Sequence, residues 1–315
     1  MLHADNRLWV VLALVLASPA VSAGQATPPA VAPQPTRVEG ATAHVYKSIG
    51  GVELRLHVFS PARADAKRRV PAIVFFFGGG WRSGLVTQFV PQATHLASRG
   101  MVAIVADYRV AGRHQTTPFE AIADAKSAIR WVRAHAAGLG VDPDRIAAGG
   151  GSAGGHIALS AAVLQQLDDP GADPTIPSIP NALVLFNPVV DTSRIKPFGD
   201  RAMDASPFHH VTRALPPTLI LHGRADTTVP YDDVVRFCEK ATSLGAPCQL
   251  VGYDDAPHGF FNPQREGGKW HRETLLEADR FLTRLGYLPP PPGLSAAVVP
   301  SSASGSTRAE SRRRH

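Results

Sequence analysis

Ser152 lies in the pentapeptide Gly150-Gly151-Ser152-Ala153-Gly154, which matches the pattern Gly-x-Ser-x-Gly. An apolar, strand-like segment precedes it and an apolar, helix-like segment follows it. In that context the serine hydroxyl stands at a helix N-terminus, where developing negative charge is stabilised. The glycines are needed because the tight turn leaves no room for Cβ atoms. The pattern predicts a nucleophilic serine, with a non-catalytic glycine-rich turn as the alternative.

A nucleophilic serine needs a base, and the base needs an acid that orients it. Asp226 and His258 each follow a predicted buried strand, in the order serine, acid, histidine. Loops at the carboxyl ends of parallel strands share one edge of a sheet, so both side chains are expected beside Ser152. Asp254 and Asp255 are competing acids, but they lie on the histidine's own loop, and Asp226 is preferred.

A second glycine-rich turn, FGGGW at 77–81, follows the first continuous apolar strand. Glycine lets backbone N–H groups approach an oxyanion closely. The amides of Gly79, Gly80 and Ala153 are therefore predicted to form an oxyanion hole. A simple turn is the alternative. The glycine-rich segment occurs upstream of the serine turn, which is the right order, and this favours the catalytic interpretation.

Several residues near these motifs are candidates for the walls and supports of the site. Trp81 and Phe260 are predicted to bind substrate, with a place in the core as the alternative for each. The insertion 192–216 either borders the pocket or braces its own loop, and bracing is preferred. Asp107 and Arg109 are interpreted as a structural ion pair supporting the active-site loops.

Residues 1–23 have the pattern of a secretory signal peptide. Arg7 supplies positive charge, residues 8–17 are apolar, and small residues at Val21 and Ala23 predict cleavage after Ala23. The apolar run is too short to span a bilayer, so no stable membrane anchor is expected after cleavage; an uncleaved anchor is the alternative. The mature chain is expected in the periplasm or outside the cell.

The chain has two cysteines, Cys238 and Cys248. Disulfides persist outside the cytoplasm, so a bridge between the two is preferred over two free thiols. Neither cysteine has the spacing typical of a zinc site. No metal and no organic cofactor are expected.

The composition of the 315 residues, 44% hydrophobic and 18% charged, excludes wholesale disorder. The formal net charge is +6, but the Lys and Arg residues form no dense basic face in the body of the chain. No nucleic-acid partner is therefore expected. Residues 24–40 are predicted to be a Pro-rich linker and 41–288 one catalytic domain. Residues 289–315 are predicted to be a disordered Pro/Ser/Arg-rich tail.

Alternating strand and helix patterns within 41–288 predict an α/β domain with a mostly parallel central sheet of about eight strands and helices on both faces. Strands are predicted at 52–58, 72–77, 102–106, 145–149, 182–186, 218–221 and 249–253. A capping box at Thr117 to Glu120 predicts one helix start. Further helices are predicted at 153–167, 232–244 and 274–285.

The motifs together resemble those of the α/β-hydrolase esterases, and the resemblance covers about residues 42–288. They are FGGGW at 77–81, DYR at 107–109, GGSAGG at 150–155, HGRADTTVP at 222–230 and PHGF at 257–260. The similarity is greatest to the secreted bacterial acetyl-esterase and feruloyl-esterase-like group, related to the hormone-sensitive-lipase-like esterases. It implies an α/β-hydrolase fold, the triad Ser152, Asp226 and His258, and the same three oxyanion-hole amides.

Three features depart from the lipase-like branch of that family. Phe77 stands where the family usually has a histidine that supports the glycine loop, so another group must support it here. Gly151 stands where those relatives often carry an acid. The segment 24–40 is too short and proline-rich for their helical cap. An open site of this kind suits a short acyl group on a bulky leaving group.

These observations predict a secreted serine esterase acting on short-acyl esters such as acetyl esters, with acetylated polysaccharide as the favoured substrate. The alternatives are a general arylesterase or deacetylase, a feruloyl esterase and, from another class, a non-catalytic binding module on a hydrolase fold. A peptidase of the prolyl-oligopeptidase type is disfavoured because it needs a large extra domain.

Overall fold

The continuous apolar runs of the chain form the centre of an eight-stranded sheet in a computed structural model, which describes residues 31–62 and 68–290. The strands are β1 (Thr42–Ile49), β2 (Val52–Phe59), β3 (Val70–Phe76), β4 (Val102–Ala106), β5 (Val141–Gly151), β6 (Ala182–Phe186), β7 (Thr218–Gly223) and β8 (Cys248–Tyr253). Their order is β1-β2-β4-β3-β5-β6-β7-β8. Strand β2 runs antiparallel to both its neighbours, and the pairs from β4 to β8 are parallel. The predicted mostly parallel sheet is confirmed.

The register of the central strands places the nucleophile. Phe76 at the end of β3 pairs with Gly150 of β5, and Gly151 pairs with Phe186 of β6. Strand β5 thus ends between two buried strands, and Ser152 follows at the carboxyl edge of the sheet. Both faces of these strands are covered, which accounts for their uninterrupted apolar sequences.

The α-helices are α1 (Val90–Ser98), α2 (Ala111–His114), α3 (Pro118–Ala134), α4 (Ala136–Leu139), α5 (Ala153–Val163), α6 (Pro207–His210), α7 (Tyr231–Ser243) and α8 (Lys269–Arg284). Within the described ranges, 3₁₀ helices lie at Val86–Phe89, Lys196–Arg201 and Glu266–Gly268. Helix α3 begins with the predicted capping box, since Thr117 and Glu120 cap each other's backbone.

Helices cover both faces of the sheet. On one face Gly149 lies against the ring of Phe75, which stacks on Phe89 directly before α1. The next residue, Gly150, faces the backbone of Gly154 in α5. Because successive strand residues point to opposite faces, α5 covers the other face of the sheet. No helix within the described ranges is long and apolar enough to cross a membrane.

The sequence does not individually predict strand β1, helix α1, the short helices α2, α4 and α6, or the 3₁₀ helices. Residues 31–40 of the predicted linker contact the domain, because Gln34 accepts a hydrogen bond from the Val86 amide and donates one to the carbonyl of Gly84. The predicted signal peptide at 1–23, residues 24–30 and the tail from 291 lie outside the described residues.

Cys238 of α7 and Cys248 of β8 form a disulfide, with their Cα atoms 5.4 Å apart. The bridge ties helix α7 to the strand that leads to the loop carrying His258. Asp226 lies before α7 and His258 lies after β8, so the bridged unit stands between them along the chain.

Candidate active site

Ser152 occupies the sharp turn between β5 and α5, with φ 53° and ψ −120°. A non-glycine residue rarely adopts this conformation, and strained residues of this kind cluster at active sites. The turn is held by a hydrogen bond of 2.9 Å from the Ser152 amide to the carbonyl of Phe186. A Cβ on Gly154 would lie 2.1 Å from the carbonyl oxygen of Phe76, so this position needs glycine.

The structure brings Ser152, His258 and Asp226 together in one hydrogen-bonded chain. The Ser152 Oγ lies 3.0 Å from Nε2 of His258, and Nδ1 of the same ring lies 2.7 Å from Oδ2 of Asp226. A carboxylate accepts only, so Nδ1 carries the proton and Nε2 is left to accept the serine proton. This is the arrangement of a nucleophile, a general base and an orienting acid.

The carboxylate of Asp226 has no exposed side-chain surface and is fully hydrogen-bonded. Its Oδ1 accepts from the amides of Thr228 at 2.8 Å and Val229 at 2.9 Å. Its Oδ2 accepts from His258 and lies 3.3 Å from Nε2 of His222. Burial alone would raise the pKa of Asp226, but hydrogen bonds from the two histidines and the Val229 amide hold that pKa well below its usual range. The acid therefore remains ionised.

The competing acids stand apart from this chain. Asp254 is 85% exposed and pairs with Arg224 at 2.9 Å, and Asp255 is also exposed. Neither is hydrogen-bonded to His258 in the part of the chain that the structure describes. Asp226 is the residue placed to orient the histidine.

The predicted oxyanion loop presents free donors. Among the described residues, the amides of Gly79, Gly80 and Ala153 have no protein acceptor. Gly79 has φ 135°, and a Cβ there would lie 2.3 Å from the carbonyl oxygen of Ser83. The loop therefore needs glycine at position 79 to fold back on itself, which leaves the amides of Gly79 and Gly80 unpaired.

Gln88 supports the oxyanion loop, a role that sequence reasoning left unassigned. Its Oε1 accepts a hydrogen bond of 2.7 Å from the amide of Gly78. Its Nε2 donates to Oδ1 of Asn262 at 3.2 Å, and Asn262 in turn donates to the carbonyl of Gly259, next to His258. Gln88 thus connects the oxyanion loop to the histidine loop.

Phe77, at the position where the resemblance implies a supporting histidine, supports the loop by packing. Its ring stacks on Tyr108, with centroids 4.2 Å apart, and the Tyr108 hydroxyl donates to the carbonyl of Phe77 at 2.7 Å. The guanidinium of Arg113 lies 5.7 Å from the ring centroid. An apolar ring fits this position because stacking on Tyr108 and the nearby Arg113 cation take the place of the hydrogen bonds that a histidine would make.

The predicted ion pair between Asp107 and Arg109 is wrong. Arg109 pairs with Asp124, with its Nε and Nη2 at 2.8 and 2.7 Å from the two carboxylate oxygens. Asp107 instead accepts from the Tyr108 amide and lies 3.9 Å from Arg113. Burial raises the pKa of Asp107 to about 7, although Arg113 lowers it in part.

A cavity of about 770 Å³ opens beside Ser152, within the usual size of small-molecule sites. Trp81 lines it, with its indole held edge-on by His156 and Phe198. The predicted contact of Phe260 with substrate is wrong. Its ring is fully buried, packs on Tyr253 and Trp270, and is not part of the cavity wall.

The insertion 192–216 both braces a loop and borders the cavity. Phe208 and His209 line the cavity wall, while Ser206 is buried and binds Asp191. The segment therefore braces its loop, as predicted, and also forms part of the cavity wall. In the residues that the structure describes, no group of His, Cys, Asp or Glu side chains is arranged to hold a metal.

Comparisons with known proteins agree with this geometry. The BD-FAE family model matches residues 56–196, and the model of the prolyl oligopeptidase family matches residues 194–280. The probable carboxylic ester hydrolase LipM of Mycobacterium tuberculosis is 32% identical over 246 residues, which are 70% of this chain and 56% of that protein. The carboxylesterase NlhH of the same organism is 30% identical over 264 residues, which are 75% of this chain and 79% of that protein.

Solved structures show a higher similarity. Esterase 2 of Thermogutta terrifontis, phosphorylated by paraoxon, is 47% identical with a TM-score of 0.79, covering 81% of this chain and 98% of that one. The same esterase with propionate bound is 46% identical with a TM-score of 0.77, covering 80% and 97%. By contrast, the chain spans little more than half the length of LipM and of the M. tuberculosis esterase LipC.

Proposed function

Because the chain belongs to the α/β-hydrolase esterases, we propose that it is a serine esterase that hydrolyses short-acyl esters, with carbohydrate as the alcohol. The observation that carries the proposal is the hydrogen-bonded chain from Ser152 through His258 to Asp226. It stands beside three unpaired amides and a cavity of substrate size. A non-catalytic binding module would not need this combination.

In the proposed reaction the Ser152 Oγ attacks the ester carbonyl while Nε2 of His258 takes its proton. The amides of Gly79, Gly80 and Ala153 stabilise the oxyanion. His258 then returns the proton to the leaving alcohol, which leaves an acyl-serine. A water molecule, deprotonated by His258, releases the acid and regenerates Ser152. Asp226 keeps the imidazole in the required tautomer and stabilises its cation.

The preference for short acyl groups rests on the wall beside the oxyanion loop. Trp81 directly follows Gly80, is 5% exposed and is packed edge-on against His156 and Phe198. A fixed indole at this position limits the length of acyl chain that fits beside the carbonyl. Esterase 2 of T. terrifontis, the solved relative, has been crystallised with propionate and with butyrate bound, which supports this limit.

We also propose that the mature protein acts in the periplasm or outside the cell. The signal-peptide pattern at 1–23 and the disulfide between Cys238 and Cys248 support this location, since disulfides persist in oxidising compartments. Fractionation of expressing cells, followed by N-terminal sequencing of the protein, tests it. Activity that stays in the cytoplasm on an uncleaved chain would refute this location.

The function is tested with p-nitrophenyl acetate, butyrate and octanoate, methyl ferulate and acetylated xylan. We expect turnover of acetate and butyrate esters, weak turnover of octanoate, and acetate release from xylan. The Ser152→Ala variant should lose on the order of 10⁶ in turnover. One equivalent of paraoxon should inactivate the wild type and add a single diethylphosphoryl group at Ser152.

The outcomes separate the alternatives. Turnover of methyl ferulate above the acetate esters would indicate a feruloyl esterase, and turnover of small esters alone would indicate a general arylesterase. No Ser152-dependent turnover of any ester would indicate a binding module.

A further inference from the structure

A second hydrogen-bonded chain faces the active-site cavity, formed by Asp191, Ser206 and His209. The Ser206 hydroxyl donates to Oδ1 of Asp191 at 3.1 Å and lies 2.8 Å from Nδ1 of His209. Asp191 is fixed in turn, because its Oδ1 accepts from the Ser193 amide at 2.9 Å. None of these residues takes part in the proposed acyl transfer.

The hydrogen-bond directions of this chain define the role of Nδ1 of His209. A serine hydroxyl has one proton, and the proton of Ser206 goes to the carboxylate of Asp191. The Ser206 oxygen must then accept from His209, as it does from the amide of Thr192. Nδ1 of His209 therefore carries a proton, and in the neutral tautomer with that proton Nε2 is an acceptor.

This acceptor is available to a ligand. His209 belongs to the wall of the cavity that also contains Ser152, and its side chain is 30% exposed. Among the described residues, no protein group is hydrogen-bonded to its Nε2. The short helix α6 that carries it is held in place, because the Phe208 amide donates to Val190 and Lys240 donates to the Phe208 carbonyl, each at 2.7 Å.

The charges around His209 point to an uncharged ligand. Two arginines, Arg194 and Arg236, and two aspartates, Asp191 and Asp233, line the same cavity, so their formal charges cancel. Arg236 is moreover paired with Asp233. A wall of balanced polar groups beside the aromatic rings of Trp81 and Phe208 suits a neutral molecule with many hydroxyl groups.

We propose that His209 is a specificity-determining residue that accepts a hydrogen bond from a free hydroxyl group of a sugar leaving group. The hydroxyl lies on the alcohol side of the ester, next to the acylated oxygen. Asp191 and Ser206 fix the ring so that Nε2 is the acceptor. This inference rests on the proposed esterase function, and it assigns the alcohol side of the substrate to the wall formed by the insertion 192–216.

Three acetate esters test the inference with the full-length protein. Partially acetylated xylo-oligosaccharides retain free hydroxyls, xylose tetraacetate has none, and p-nitrophenyl acetate reports acyl transfer. His209→Phe should lower the ratio of kcat/KM for the oligosaccharides to kcat/KM for p-nitrophenyl acetate by about tenfold, the effect of one lost hydrogen bond. The same ratio for xylose tetraacetate should change by less than about twofold.

Conservative variants separate hydrogen bonding from packing. His209→Gln places an amide near the position of Nε2 and should recover part of the ratio, whereas His209→Asn, whose amide reaches only the position of Nδ1, should not. His210→Phe is the matched control on the same helix, because His210 bonds the carbonyl of Met203 and is not part of the cavity wall. It should keep both ratios.

The outcomes distinguish this inference from the proposed function. An unchanged oligosaccharide ratio in His209→Phe, or an equal fall for xylose tetraacetate, overturns the role of His209 while the esterase stands. A wild type that cleaves p-nitrophenyl acetate but no sugar ester overturns it as well. Failure of the esterase itself would show separately, as turnover of p-nitrophenyl acetate that Ser152→Ala does not abolish.

Discussion

Nε2 of His222 lies 3.3 Å from Oδ2 of Asp226, the same oxygen that accepts the hydrogen bond from His258. Nε2 of His222 also lies 2.9 Å from the carbonyl of Val229, so two acceptors require a proton on that nitrogen. The Nε2–H of His222 is thus shared between the Val229 carbonyl, its closer acceptor, and the carboxylate oxygen that His258 also binds. His222 is fully buried and acts on the reaction through Asp226, as a positioning residue.

Removal of the His222 donor should weaken catalysis. In His222→Phe the carboxylate loses one hydrogen bond and part of its orientation, so kcat for p-nitrophenyl acetate should fall about tenfold with little change in KM. His222→Gln retains a donor and should recover part of the loss. His95→Phe, which disturbs a histidine–aspartate contact on the outer helices, should keep the wild-type kcat. Equal kcat values for all variants would remove His222 from the positioning role.

Gln88 should be needed for oxyanion stabilisation although it does not touch the substrate site directly. Gln88→Leu removes the acceptor of the Gly78 amide and the link to Asn262, so the loop shifts. We expect kcat to fall by roughly tenfold to a hundredfold, since small displacements of oxyanion donors are costly. Gln166→Leu, at an exposed glutamine bonded to the carbonyl of Asp204, is the control. Full activity of Gln88→Leu would show that other contacts hold the oxyanion loop.

The turn around the nucleophile should tolerate no side chain at Gly154. Gly154→Ala puts a Cβ 2.1 Å from the Phe76 oxygen, a backbone atom that cannot move aside. Urea unfolding should show a loss of at least about 3 kcal/mol, or no folded protein. Gly138→Ala is the matched control in helix α4, where a Cβ meets nothing within 4 Å. That change should be neutral or stabilising by up to about 1 kcal/mol.

Asp107 should make the protein less stable as pH rises. Burial raises the pKa of Asp107 from 3.8 to about 7, so the fold favours its protonated form. The stability that protonated Asp107 contributes to the fold is fully present below about pH 4, and it is lost as pH rises through about 7. Asp107→Asn cannot ionise and escapes this loss.

Urea unfolding at pH 5 and pH 8 measures this effect. The free energy of unfolding of the variant, minus that of the wild type, should be larger at pH 8. Asp254→Asn, at an aspartate 85% exposed, should show no such increase. The pKa of Asp226 is shifted the other way, so its contribution is lost only below about pH 4 and does not overlap this range. A smaller difference at pH 8 would contradict the assignment to Asp107.

Local rules in the sequence predict the central strands and the proximity of Ser152, Asp226 and His258 that the structure has. Continuous apolar runs form buried parallel strands, and loops after such strands meet at one edge, which brings Asp226 and His258 to Ser152. Strand β1 escapes prediction because it is an edge strand whose residues, apart from Tyr46, are exposed or half-buried. Helix α1 carries few strongly apolar residues, and only Leu96 among its buried side chains is large and apolar; the others are Gln92, Ala93 and Ala97.

Partners that meet only through the fold could not be predicted. Arg109 pairs with Asp124, fifteen residues away, rather than with nearby Asp107. Gln88 and Asn262 are 174 residues apart, and no local pattern links them. The position of Phe260, two residues after His258, predicts a wall residue, but the turn directs its ring into the core.

The disulfide between Cys238 and Cys248 also closes a small covalent ring around the turn after α7. Leu244 in that turn is 43% exposed, and Gly245 has φ 83°. A peptidase that cuts the chain there would nick the backbone without separating its two halves. The half that carries Ser152 and Asp226 would stay covalently joined to the half that carries His258. The bridge thus keeps a clipped molecule in one piece, with all members of its catalytic chain still attached.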